Sequence, residues 1–297
     1  MTKTNIDNPK KHIFQSKRLI ESRKSILPLN KTQEESKNRL IEKLDSGEYQ
    51  YEEYICECGS TAKDFEVIAK RDRYGLPVET KICTNCGLLM TNPRMNQDSY
   101  NNFYSYEYRG LYGGNPDADE DFFQDQVKHG EAIIDYIKNN TYISKIKTVL
   151  EIGCGAGGIL YAFYKQGFDV TGVDLGDEYL NYGRKYGLNL HKGNSTQLIP
   201  KKYDLIILSH VLEHFLDLKS ELKTIAELLT DEGILYVEVP GIKAIKKNYR
   251  SDILLYLQNA HIRHFTLNTL NQTMMKYNFN LISGDEEIHS LFIILRI

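Results

Sequence analysis

From residue 146 onward, short apolar runs alternate with amphipathic stretches. "KIKTVLEIG" reads as a buried-type strand, "GGILYAFYKQG" as a helix, "FDVTGVDL" as a second strand and "GDEYLNYGRKYG" as a second helix. "LNLHKG" is a short third strand, "YDLIILSH" a fourth, "LKSELKTIAELL" a helix and "GILYVEVP" a fifth strand. Strands that alternate with helices at this spacing need crossover connections. The pattern therefore predicts an α/β unit with a mostly parallel sheet and helices on both faces. "FNLISGDEE" and "HSLFIILRI" read as two closing strands able to pair as a hairpin at the sheet edge.

Upstream the rhythm differs. Residues 1–50 are highly charged, with helix-compatible apolar spacing over 11–24 and 32–44 and a break at Leu27-Pro28, which predicts a helical N-terminal arm. Residues 51–95 hold four of the five cysteines. Residues 96–145 open on the tyrosine-rich "YNNFYSYEYRGLYGGNPDADED", a connector ending in a turn cluster, and pass into the amphipathic "DFFQDQVKHGEAIIDYIKNN". The alternating unit fills 146–297.

Composition narrows the class without choosing a chemistry. The chain is 41% hydrophobic and 26% charged, which suits an ordinary globular protein rather than a disordered or membrane one. Lys+Arg 37 against Asp+Glu 40 leaves a net charge of −3, so no broad electrostatic case for nucleic acid arises. The first residues lack an apolar signal-peptide core, and no stretch approaches a membrane-spanning length; a soluble cytoplasmic protein is expected. Two close cysteine pairs do not resemble a secreted disulfide framework.

Cys56, Cys58, Cys83 and Cys86 form C-x-C…C-x2-C, and each pair precedes a glycine, Gly59 or Gly87. Four thiolates suit one tetrahedral Zn2+ in a closed, structural site. Such an ion leaves no position for a substrate, and folds a segment too small to hold a core. The C-x-C half is one residue shorter than the usual knuckle. Cys154 lies elsewhere, in a glycine turn.

That turn, "VLEIGCGAGG", places Gly153, Gly155 and Gly157 between a strand and a helix, where a ligand can approach the backbone. The next strand ends in Asp174, positioned to accept hydrogen bonds from both hydroxyls of a ribose. No lysine followed by Ser or Thr closes the loop, so it is not a nucleotide-hydrolase phosphate loop. "VLEIGCGAGG" resembles the first motif of the class I methyltransferases that use S-adenosylmethionine, and "TGVDLGDEYLNYGRKYG" resembles their second. "GNSTQL" and "YDLIILSHVLEHFLD" are similar to that family's third-strand loop and fourth-strand motif. The resemblance implies a Rossmann-like sheet and a cofactor site at Glu151, Gly153, Gly155, Gly157, Asp174, Leu175, Asn194, Ser195 and Ser209. In it Asp174 holds the ribose, the glycine turn faces the amino-acid part, and Asn194 and Ser195 lie near the adenine.

The C-terminal ends of the strands should carry the chemistry. His210, Glu213 and His214 follow the fourth strand, and His261 and His264 lie in "LLYLQNAHIRHFTLNTL". Histidine has the pKa to take an acceptor's proton near neutrality. His261, His210 and His264 are the candidate catalytic residues, and His214 a substrate-facing one. The order of parts resembles the zinc-containing sugar C-methyltransferases that act on nucleotide-linked deoxysugars. That resemblance implies that Tyr104, Tyr106 and Tyr108 line the acceptor pocket; alternate spacing would put them on one side of an extended segment. In that family a Glu-His pair precedes the Phe-Thr segment, whereas here the positions are Ala260 and His261. The missing carboxylate favours a sugar or nucleotide-linked sugar hydroxyl or nitrogen as acceptor over a carbon beside a keto group.

Two other classes fit parts of the pattern. Gly153, Gly155 and Gly158 have the spacing of a dinucleotide fingerprint, so an NAD-dependent oxidoreductase is one alternative. A zinc-containing binding protein with an inactive methyltransferase-like body is the other.

Overall fold

A computed structural model describes residues 16–113 and 118–295. Part of the expected helix over 11–24, part of the turn cluster after the tyrosines and the last two residues lie outside the described residues. The cysteine-bearing segment contributes β1 (Tyr51–Glu52), β2 (Phe65–Ala69), β3 (Thr80–Cys83), β4 (Leu89–Thr91) and β5 (Arg94–Met95). The alternating unit contributes β6 (Thr148–Ile152), β7 (Asp169–Asp174), β8 (Asn189–Lys192), β9 (Tyr203–Ser209) and β10 (Leu229–Glu238). Beyond it come β11 (Arg263–His264), β12 (Phe279–Gly284) and β13 (His289–Ile294). The helices are α1 (Lys17–Ile20), α2 (Lys31–Asp45), α3 (Gln97–Tyr106), α4 (Glu120–Asn140) and α5 (Gly158–Lys165), then α6 (Asp177–Arg184), α7 (Leu218–Leu228), α8 (Ile245–Asn248), α9 (Ile253–Tyr256) and α10 (Leu267–Met275).

Seven strands form the central sheet in the order β12-β13-β10-β9-β6-β7-β8. The five strands from β8 to β10 pair in parallel, and β13 runs antiparallel to both its neighbours. The closing hairpin thus sits at the sheet edge. Consecutive residues of one strand feed opposite faces, as the period of two requires. Leu150, Ile206 and Leu208 pack toward α7 and α10 through Leu222, Ile225, Leu270 and Met274. Val149, Leu205 and Ile207 pack toward α4 and α5 through Ile134, Ile137, Leu160 and Phe163. Both faces are covered, which is why these strands read as continuous apolar runs.

A second sheet has the order β11-β4-β3-β2 and is antiparallel throughout. Its fourth strand comes from far along the chain: Arg263 pairs with Met90 and His264 with Leu89. The cysteine segment is therefore hydrogen-bonded into the region that carries His261 and His264.

Two expectations need correction. The first long helix of the arm is reduced, among the described residues, to the four residues of α1. Backbone groups around it are taken by the small sheet's side instead: Lys70 N–H donates to Leu19 and Ile26 N–H to Arg73. Tertiary hydrogen bonding overrides helical spacing there. The tyrosine stretch is helical rather than extended, capped by Asn96, whose side chain accepts from Ser99 N–H.

Candidate functional site

The glycine turn follows β6 at the carboxyl ends of the parallel strands. Gly153, Gly155 and Gly157 all have positive φ, at 74°, 52° and 74°. At Gly153 a Cβ would stand 2.5 Å from Val211 Cγ2, so the loop after β9 can close over the turn only because that position is glycine. Asp174 ends β7 beside it. Its carboxylate accepts from Gly155 N–H at 2.9 Å and Gly176 N–H at 2.9 Å, which fixes it against the turn.

Glu151 is buried in β6, and its Oε2 accepts no hydrogen bond among the described residues. Burial first, then the charge of Asp174, pushes its carboxyl well above the usual range. Ser195 is wholly buried, and its Oγ also lacks a partner among the described residues. Orphaned polar atoms around a glycine cradle fit a polar ligand lying along the strand ends. Of the other expected cofactor residues, Leu175 is exposed, and Asn194 caps the following turn by accepting from Thr196 N–H at 3.2 Å. Ser209 Oγ donates to Glu238 at 3.1 Å.

Beyond β9 the chain enters His210 with φ at +55°, a strained conformation for a residue with a side chain. That bend leaves the His210 ring half exposed between two buried carboxylates. Its Nδ1 is 3.7 Å from Glu213 Oε1 and its Nε2 is 3.6 Å from Glu238 Oε1. Burial pulls the ring's pKa down, but Glu213 and Glu238 outweigh it and hold it above the ordinary value. His214 Nε2 and His261 Nε2 lie 3.8 and 3.7 Å from the same Glu213 oxygen. Burial, then the neighbouring rings of His214 and His264, pushes His261 well below the ordinary value.

Three of the sequence-derived histidines therefore converge on Glu213. His264 does not join them. It is 1% exposed, neither ring nitrogen has a partner among the described residues, and burial pushes it down to about 3.

The tyrosines divide by helical geometry. Tyr104 and Tyr108 stack with centroids 4.3 Å apart, and Tyr104 OH meets His214 Nδ1 at 2.8 Å. Tyr106 points the other way, 67% exposed with Lys43 over its ring, because i and i+2 cannot share a helix face. The i, i+4 stripe instead includes Tyr100, whose hydroxyl donates to His214 O at 2.7 Å. Helical period, read in place of alternation, identifies that residue in the sequence.

Other groups carried no motif. Arg109 reaches Asp174 at 3.3 Å with its guanidinium 4.0 Å from the Tyr179 ring. Glu238, at the end of β10, accepts from His129 at 2.7 Å and lies 3.5 Å from His289. Burial pushes the Glu238 carboxyl up, but His129 and His289 outweigh it and hold it below the usual range.

The four clustered cysteines come together around the turn between β3 and β4, with Cys83 ending β3 and Cys86 in the turn. Cys56 Sγ is 3.5 Å from Cys86 Sγ, and Cys58 Sγ is 3.6 Å from Cys83 Sγ. Thiolates at about 2.3 Å around a tetrahedral zinc stand about 3.8 Å apart, so the donor set fits that ion. Cys154 is buried in the glycine turn and belongs to neither pair.

A seven-stranded sheet with one antiparallel strand, a glycine turn after its first strand and an acid ending its second define a class I methyltransferase fold. The family described as "Methyltransferase domain" matches residues 123–283, and the chain belongs to it. The ubiquinone biosynthesis O-methyltransferase of Actinobacillus pleuropneumoniae is 32% identical over 116 residues, 35% of this chain and 50% of that protein. The same-named enzyme of Idiomarina loihiensis is 28% identical over 136 residues, 43% of this chain and 54% of that protein. The chain thus spans about half the length of these curated relatives. The solved plantazolicin methyltransferase BpumL, in complex with a monoazolic desmethylPZN analogue and SAH, superposes with a TM-score of 0.52 at 18% identity. It covers 66% of this chain and 94% of its own, a likeness of fold. No helix among the described residues is long and apolar enough to cross a membrane.

Proposed function

We propose that the protein is an S-adenosylmethionine-dependent methyltransferase whose acceptor is a small polar molecule, a sugar or nucleotide-linked sugar methylated on a hydroxyl or nitrogen. The observation that carries this reading is the opposition of two half-sites at the strand ends. One is the glycine turn with Asp174, Glu151 and Ser195; the other is the His210–Glu213–His214–His261 cluster. The bound sulfonium supplies the methyl group. Asp174 orients the ribose, the turn lets the amino-acid part lie against the backbone, and Tyr104 and Tyr108 wall the acceptor side through His214.

His210 suits the role of proton acceptor better than His261. Its ring is half exposed, and its two nitrogens lie near Glu213 and Glu238, whose charges raise its basicity. His261 is 5% exposed and held neutral. His210→Ala should lower kcat by 10²-fold or more with S-adenosylhomocysteine affinity unchanged, in line with the worth of a positioned base. Equal turnover in the variant would remove His210 from the role.

One geometric fact keeps the C-methyltransferase reading as a second possibility. Although Ala260 lacks a carboxylate, Glu213 Oε1 stands 3.7 Å from His261 Nε2 and restores an acid beside that histidine in space. The cysteine cluster is read as a structural zinc site in a small domain over 51–95, following the arm over 1–50 and preceding the connector over 96–145 and the methyltransferase domain over 146–297. Incubating the protein with labelled S-adenosylmethionine and a panel of nucleotide-linked sugars, then locating the methylated atom by NMR, tests the function. Calorimetry showing no binding of S-adenosylmethionine or S-adenosylhomocysteine would sink it.

A further inference from the structure

Asp174 is already engaged by the chain's own donors. A carboxylate offers about four lone-pair sites, two on each oxygen. Gly155 N–H takes one on Oδ2 at 2.9 Å, and Gly176 N–H takes one on Oδ1 at 2.9 Å. Arg109 Nη2 donates to the same Oδ1 at 3.3 Å and fills the second place there. Among the described residues a single site, on Oδ2, is left over. Two adjacent hydroxyls of a ribose need two sites, so both cannot bond while Arg109 keeps its place.

The arginine is built to yield. Its contact is longer than the roughly 2.7–2.9 Å of a tight charge-assisted bond. Its side chain is 35% exposed, against 11% for Asp174, so water can take over its donors. The guanidinium also lies 4.0 Å over the Tyr179 ring, a contact that holds the charge after the carboxylate is lost. The backbone beside it is fixed. Leu111 is wholly buried, and its carbonyl accepts from Gln33 Nε2 of α2 at 3.2 Å. A Cβ at Gly110 would run into Ser36 Oγ of the same helix. What can move is therefore the Arg109 side chain and not the segment that carries it.

We propose that Arg109 is an internal competitor for the ribose site, occupying Asp174 in the free protein and giving way to the two ribose hydroxyls. This rests on the methyl-transfer reading above and concerns regulation of the same cofactor site. After the exchange Asp174 accepts from Gly155, Gly176 and two hydroxyls, and Arg109 stays on Tyr179. The demethylated product keeps both hydroxyls, so its ribose grips Asp174 as firmly as that of the methyl donor. Arg109 returning to Oδ1 loosens that grip and speeds discharge of the product.

The test is calorimetry on the full-length protein with S-adenosylhomocysteine as the probe. Arg109→Ala should tighten binding by about three-fold, the scale of one partly exposed ion pair. Arg109→Lys, which can still pair with Asp174, should tighten it less. The probe carries no net charge near neutrality, whereas its competitor is an ion pair that salt weakens. Wild-type affinity should therefore rise by about two-fold between about 20 mM and about 500 mM salt, and Arg109→Ala should show no such rise. The 2′-deoxy and 3′-deoxy forms of the probe each offer one hydroxyl, and at least one of them should bind both proteins alike through the open Oδ2 site. Unchanged or weaker binding by Arg109→Ala overturns the proposal, as does equal tightening of both deoxy forms. A wild-type affinity that stays level or falls with salt overturns it too, and that titration needs no variant to fold. Failure of the wild-type protein to bind S-adenosylhomocysteine would instead strike the methyltransferase reading itself.

Discussion

Asp174 ties a single side chain to two backbone amides and to the place where a ribose would lie. Asp174→Asn keeps one acceptor for Gly155 or Gly176 N–H but loses the charge and a second acceptor. S-adenosylhomocysteine affinity should fall at least ten-fold by calorimetry, about 1.4 kcal/mol, with little loss of thermal stability. His289 offers a contrasting, pH-dependent prediction. The Glu238 carboxylate, against burial and with help from Asp285, pushes its pKa up to about 9. The folded protein then binds that proton more tightly than the unfolded chain. The resulting stability is complete below about pH 6.5 and is lost as the pH rises through 9. His289→Asn should flatten the decline in unfolding free energy over that interval by on the order of 1 kcal/mol, measured by urea denaturation. Parallel pH profiles for the two proteins would detach His289 from this role.

Elements are where the sequence was most and least readable. β6 to β10 and the helices between them follow from alternating apolar runs because both sheet faces are covered, leaving strong local signatures. The glycine turn and Asp174 were legible for the same reason: their positions are set by the ends of those strands. Tyr106 was misplaced because its segment has no strand neighbour and coils into α3, which exchanges period two for period 3.6. Glu238 and Arg109 were harder to assign, since their partners His129 and Asp174 are 109 and 65 residues away and no local pattern records such pairing. A Tyr106→Phe change should leave acceptor KM and kcat unchanged in steady-state assays, while Tyr104→Phe should raise KM several-fold. Helix contact makes a separate prediction. A Cβ at Gly130 of α4 would stand 2.6 Å from Ile159 O and 2.8 Å from Ala162 Cβ of α5. Gly130→Ala should therefore destabilise the fold by about 1–3 kcal/mol in denaturant titrations, despite alanine's better helix propensity.

For the whole molecule, the small sheet is joined through β11 to the segment that carries His261. Glu57 lies between Cys56 and Cys58 and accepts from Arg263 Nε at 2.9 Å, and Tyr277 OH donates to it at 2.8 Å. Arg263 is 3% exposed and sits two residues from His261. Removing zinc with a chelator should release one ion per chain and loosen the small sheet first, seen by loss of amide-exchange protection in β2 to β4. Turnover should fall with it, though Cys56, Cys58, Cys83 and Cys86 are no part of the glycine turn. A verified metal-free sample with unchanged exchange and turnover would overturn the structural-zinc reading.

The strand β11 sets a limit on how the chain can be divided. Residues 146–297 look self-sufficient in one dimension, yet cutting there would strip Arg263 and His264 of their hydrogen-bonded neighbours on β4. It would also take Glu57 from a guanidinium buried in the intact protein, leaving an unpaired charge at the exposed edge of a fragment. Such a fragment is expected to be insoluble or to self-associate through that edge. Co-expressed with residues 1–145 as a separate chain, which restores both β4 and α4, it should be recovered as a complex. Two pieces cut between residues 145 and 146 would then behave as subunits of one enzyme.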